Sequence, residues 1–82
     1  MNLFNKSVAV FPNPAKDVIT IHSQNVPIKK IELVNLLGET LYTQITENVQ
    51  STQLNLQSYQ PGFYFVKVSS EKYTVTKRLV KE

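Results

Sequence analysis

The chain has 82 residues, enough for one domain with a small core. Nine Lys and Arg against six Asp and Glu give a net charge of +3, well short of a nucleic-acid-binding composition. With no Cys, one His and one Asp, disulfide scaffolds, thiolate zinc sites and most catalytic constellations are excluded.

Met1 to Lys6 has no charged start followed by a long apolar stretch, so it does not read as a signal peptide. Taken literally that describes a cytosolic protein; if Met1 is a cloned start on an excised domain, it says nothing of compartment. Val8 to Phe11 is a short apolar run, stopped by Pro12-Asn13-Pro14. Each proline fixes φ and removes a donor, so a rigid corner is expected after a first strand. Asp17 to Ser23 reads as a second strand, with Ile19 and Ile21 on one face and Val18, Thr20 and His22 on the other. Ile28 to Leu37 reads as a third, apolar on both faces near its end and therefore expected to be covered on both sides there. Gly38 supplies positive φ for a tight turn into a fourth strand, Thr40 to Thr46.

Thr52 to Leu56 follows as a short strand, then a loop expected to close at a Pro61-Gly62 turn. Phe63 to Ser69 is the strongest strand, with Tyr64, Val66 and Val68 on one face and Phe63, Phe65 and Lys67 on the other. One of the two phenylalanines is expected to be partly exposed. Ser70-Glu71-Lys72 reads as a hairpin turn, and Tyr73 to Lys81 as the last strand, with Tyr64 and Tyr73 as cross-strand core partners. Ten Val, five Ile and seven Thr against two Ala favour pleated over helical backbone. Short strands at regular spacing, separated by turn signals, predict an all-β, antiparallel sandwich of about seven strands. No apolar run approaches the ~18 residues of a membrane span.

No constellation for chemistry assembles. His22 and Ser23 are neighbours on a strand and diverge, and Asp17 is about 16 Å from His22 along an extended chain. The carboxylates are scattered singly, and the only glycines, Gly38 and Gly62, form no phosphate loop. The expectation is a domain with no catalysis, metal or cofactor of its own. Lys67, Lys72, Lys77, Arg78 and Lys81 with Glu71 and Glu82 carry the whole +3 in the last sixteen residues. Lysines commonly blunt a sheet edge against aggregation; the same basic hairpin is also accessible to a partner. Nucleic acid is not expected, because exposed aromatics are not interleaved with these cations.

Four pieces in order resemble a known family. Val10-Phe11-Pro12-Asn13-Pro14-Ala15, with Asp17 and Ile21, is similar to the "YPNPAxDxxxI" opening of the type IX secretion system C-terminal sorting domain, type A. Ile31 to Glu39 resembles its strand, glycine, strand hairpin; Leu56 with Pro61-Gly62-Phe63-Tyr64-Phe65-Val66-Lys67-Val68 resembles its "L…PGxYxVxV" element. Thr76-Lys77-Arg78-Leu79-Val80-Lys81 resembles the closing "xxKxxVx". Phe11 stands where Tyr is common, which keeps the ring, and Arg78 adds a charge.

The resemblance implies an immunoglobulin-like sandwich over residues 8–82, preceded by linker or cloned residues 1–7. It implies an address label: cargo joined at the N-terminal side, transit of the periplasm of a Gram-negative bacterium, passage through an outer-membrane translocon, and removal by a sortase-like peptidase before release or attachment at the cell surface. Pro12, Asn13, Pro14, Gly38, Gly62, Tyr64 and Val66 are its structural motif positions. Lys77, Arg78, Leu79, Val80 and Lys81 are the expected recognition segment, on an edge strand able to add to a partner's sheet or to pair the isolated domain into a dimer. Two alternatives remain: an adhesive or carbohydrate-binding module, for which Tyr42, Tyr59, Phe63 and Phe65 are the candidate aromatics, and a spacer with no recognition role.

Overall fold

The computed structural model describes residues 7–82. Residues 1–6 of the expected linker lie outside the described residues. Seven strands run in order: β1 Val8–Phe11, β2 Val18–Ser23, β3 Ile28–Val34, β4 Thr40–Val49, β5 Ser51–Asn55, β6 Gly62–Ser69 and β7 Thr74–Lys81. They form two antiparallel sheets, one ordered β1-β2-β5 and the other β4-β3-β6-β7. This is the expected all-β sandwich of immunoglobulin-like type, in which the chain changes sheet after β2, β4 and β5.

The core lies between the sheets and follows the period of two. Ile19 and Ile21 of β2, Ile31 and Leu33 of β3, Val66 and Val68 of β6, and Leu79 of β7 are fully buried. Ser23 continues the inward row of Ile19 and Ile21, and it is the one buried polar side chain among the described residues. Its hydroxyl donates to the Val26 carbonyl, which meets the requirement that a buried polar group be partnered.

Two strand ends, those of β3 and β4, differ by three residues from the bounds read from the sequence. β3 stops at Val34 because Asn35 turns the chain: its Oδ1 accepts the Leu37 N–H at 3.0 Å and the Glu39 N–H at 2.9 Å. Leu36 and Leu37 therefore sit exposed at the turn rather than in a strand covered on both sides. Gly38 has φ +89°, as the turn requires. β4 runs on to Val49, opposite Ile28 after a bulge between Ile28 and Lys30. Asn48, at φ 54°, then carries the chain across to β5 in the other sheet.

The loop before β6 turns earlier than Pro61-Gly62. Tyr59 N–H donates to the Leu56 carbonyl at 3.0 Å, and Asn55 Oδ1 accepts the Gln57 N–H at 2.8 Å. Gly62, at φ +150°, is the first residue of β6 and lies opposite Lys81. Nor do Tyr64 and Tyr73 face one another. Tyr64 is opposite Leu79, while Tyr73 belongs to the hairpin loop, which closes through Ser70 N–H to the Tyr73 carbonyl at 2.8 Å.

Candidate functional site: the corner, the last strand and their groove

Pro12 and Pro14 have no N–H, so the corner after β1 cannot pair as an ordinary strand. Both of its X-Pro bonds, Phe11-Pro12 and Asn13-Pro14, are cis. The side chain between them takes over the pairing. Asn13 Nδ2 donates to the Arg78 carbonyl at 3.0 Å, and its Oδ1 accepts the Val80 N–H at 2.9 Å. A carboxamide carries one donor group and one acceptor, as a peptide unit does, so it can stand in for a neighbouring strand.

Backbone pairing continues from there. Ala15 N–H donates to the Val80 carbonyl and Glu82 N–H to the Ala15 carbonyl, both at 2.8 Å, making a parallel bridge between Ala15 and Lys81. Ala15 is fully buried. β7 is thus an edge strand of the four-stranded sheet, as expected, but its outer side is already occupied from Arg78 to Glu82. A partner's strand adding along β7 meets open edge only toward Thr74.

The recognition segment divides by parity. Leu79 is fully buried and belongs to the core. Lys77 and Lys81 lie on the same row and are half-buried, whereas Arg78 is exposed and Val80 half-buried on the outer face. There Arg78 stands opposite Phe65 and Val80 opposite Phe63. Phe63 is 64% exposed and Phe65 half-buried, so both phenylalanines, rather than one, are partly exposed. With Pro14 and Leu36 these side chains line an open groove of about 410 Å³, in which Arg78 is the one charged residue.

Three of the seven motif positions lie at this groove and four elsewhere. Asn13, Pro14 and Tyr64 line it directly, and the Tyr64 hydroxyl donates to the Gln60 carbonyl at 2.5 Å, tying the preceding loop to β6. Gly62 opens β6, and Val66 anchors that strand in the core. Gly38 ends the turn that presents Leu36. Pro12 stands at the exposed corner. Leu36 is absent from the expected recognition residues. Its signal was available in retrospect: an apolar residue directly after an Asn that ends a strand is thrown outward.

A family model described as the secretion system C-terminal sorting domain matches residues 9–82. The chain belongs to that family. As a type IX sorting domain it marks the protein that carries it for export, to the medium or to the cell surface. The corner, the glycine turn, the Pro-Gly-Phe-Tyr stretch and the closing strand that carried the resemblance are all inside the matched span. An ulvan lyase, NLR42, of Nonlabens ulvanivorans is 34% identical over 64 residues, covering 78% of this chain and 12% of that protein. The sorting domain thus spans about an eighth of the length of this curated relative.

The four candidate aromatics of the carbohydrate-binding alternative separate in the structure. Phe63 and Phe65 line the Arg78 groove, whereas Tyr42 and Tyr59 line a different one. His22 is exposed on β2. No three ionisable groups among the described residues gather as a metal site would require. No helix among them is long and apolar enough to cross a membrane.

Proposed function

We propose that the secretion machinery reads this domain at the Arg78 groove, where the opening and closing motifs of the family meet. The closing segment Lys77 to Lys81 is the recognition element. Arg78 and Val80 make the contact, Leu79 anchors the strand from beneath, and Lys77 and Lys81 flank it. The observation that carries this reading is the exposed apolar rim of Phe63 and Leu36 beside Arg78. Exposed apolar patches of this kind mark contact surfaces.

In this reading the domain has no catalysis of its own and needs no cofactor. It comprises residues 8–82, with 1–7 as linker, and follows a cargo domain in the full-length protein. The cargo crosses the periplasm, the outer-membrane translocon engages the folded label, and a sortase-like peptidase cuts on the cargo side of Val8.

The test is a fluorescent reporter with an N-terminal signal peptide fused ahead of residues 1–82, expressed in a bacterium with a type IX system and in a translocon mutant. Reporter in the medium or at the surface is expected only in the functional strain. Arg78→Glu and Phe63→Ser are expected to leave the fold intact, as judged by thermal melts of the purified domain, and to reduce export severely. Full export of both variants would overturn the assignment of the groove, and retention of the unaltered fusion in both strains would overturn the sorting role of these residues.

A further inference from the structure

A second groove, of about 400 Å³, opens where β4, an edge of one sheet, runs beside β5, an edge of the other. Tyr42, Gln44, Gln53, Asn55, Ser58 and Tyr59 line it. None of its lining residues is charged. A phosphate, a carboxylate ligand or a metal ion would find no counter-charge there.

The polar groups around it keep hydrogen-bonding capacity in reserve. Gln44 Nε2 donates to Thr52 Oγ1 at 3.1 Å, which leaves its Oε1 open. Asn55 Oδ1 accepts the Gln57 N–H, which leaves its Nδ2 open. The Gln53 amide, the Ser58 hydroxyl and the Tyr42 and Tyr59 phenols have no hydrogen-bond partner among the described residues. Asn13 and Asn35, by contrast, use both side-chain polar atoms to hold backbone or a turn. Here several donors and acceptors line one concavity, and of their side chains only those of Gln44 and Asn55 bond to protein.

The aromatic component is pre-set. Tyr59 packs against the core and meets the Tyr64 ring edge-on, with centroids 6.3 Å apart and planes at 66°. That contact fixes its ring, while Tyr42 is 41% exposed across the groove. Rings with a polar tip, mixed amide donors and acceptors, and no charge match one ligand chemistry. Pyranose rings offer apolar C–H faces to stack on tyrosine, and each hydroxyl both donates and accepts. We propose that this groove binds a neutral oligosaccharide. The site is separate from the Arg78 groove and does not depend on the export reading.

The test is a ¹H–¹⁵N titration of the 82-residue chain with cellohexaose, laminarihexaose and mannohexaose, carried to about 10 mM so that affinities near 1 mM are seen. Shifts confined to the surroundings of Tyr42, Gln44, Gln53, Asn55 and Ser58 are expected with at least one sugar. Tyr42→Ala and Gln53→Ala, both on accessible strand faces, should weaken the response about tenfold, and Phe63→Ala should leave it unchanged. No shift with any of the three sugars would overturn the proposal, as would shifts centred on Arg78 or indifference to both variants. A neutral extended peptide that perturbs these residues when the sugars do not would reassign the groove to strand pairing and likewise overturn it.

Discussion

Asn13 is the residue on which most of the local structure turns. Its exposed carboxamide makes two hydrogen bonds to the last strand, across 65 and 67 positions of sequence. Water replaces such bonds in part, so Asn13→Ala is expected to cost about 1 kcal/mol, read from the midpoint of urea unfolding. Asn13→Asp should cost as much or more, because it replaces the donor to the Arg78 carbonyl with a second acceptor. At Ser23 the hydroxyl is wholly buried and serves the Val26 carbonyl. Ser23→Ala leaves that carbonyl short of a partner and should cost about 1–2 kcal/mol in the same measurement. Gly38 has open space where a Cβ would stand, so Gly38→Ala pays only for its positive φ, about 1 kcal/mol.

At the scale of the elements, β7 joins the two halves of the domain's logic. Its inward row is core, and its outward row is groove. Removing the last five residues, a natural first test of a C-terminal signal, deletes Leu79 from the core together with every partner of Asn13 and Ala15 on β7. Leu79→Ala alone is expected to cost about 2–5 kcal/mol. Lost export after truncation would therefore report unfolding, whereas the outward substitutions at Arg78 and Phe63, which leave the core in place, test the proposed recognition. The clamp also covers part of an edge strand. Asn13→Ala should raise the dimer fraction of the isolated domain at high concentration, measured by analytical ultracentrifugation; an unchanged monomer would mean that Ala15 alone suffices as cover.

Most strands were legible because alternation over β2, β6 and β7 is clean, and Ile19, Ile21, Val66, Val68 and Leu79 are buried as that alternation requires. The errors have local causes. Leu36 and Leu37 look like strand because they are apolar, but the Asn35 side chain offers the backbone a better partner than the next strand does. Tyr73 has the right parity for the core, yet the hairpin needs it in the loop.

On the scale of the whole molecule, the sandwich follows from composition and spacing, and membership of the sorting family from motifs in order. What could not be read was the meeting of those motifs. Nothing in the spacing of Pro12-Asn13-Pro14 and Lys77 to Lys81 says that one caps the other, because the contact is made by a side chain imitating a strand. The convergence of Tyr42 and Tyr59 was equally hidden. It depends on the chain crossing between sheets at Asn48, which brings the edges of β4 and β5 together.

The corner has a mechanical side as well. Under the proposed reading, a cargo segment ahead of β1 would pull on the domain from one terminus, and machinery bound to the closing strand would pull from the other. β1 can peel from β2 bond by bond, but the next resistance is a short parallel patch in which Asn13 and Ala15 hold Arg78, Val80 and Glu82 through four hydrogen bonds. Opposed forces along parallel segments load such bonds together, in shear. A label built this way passes tension between its two ends along a short surface seam, leaving the buried layers between the sheets unloaded until that seam gives.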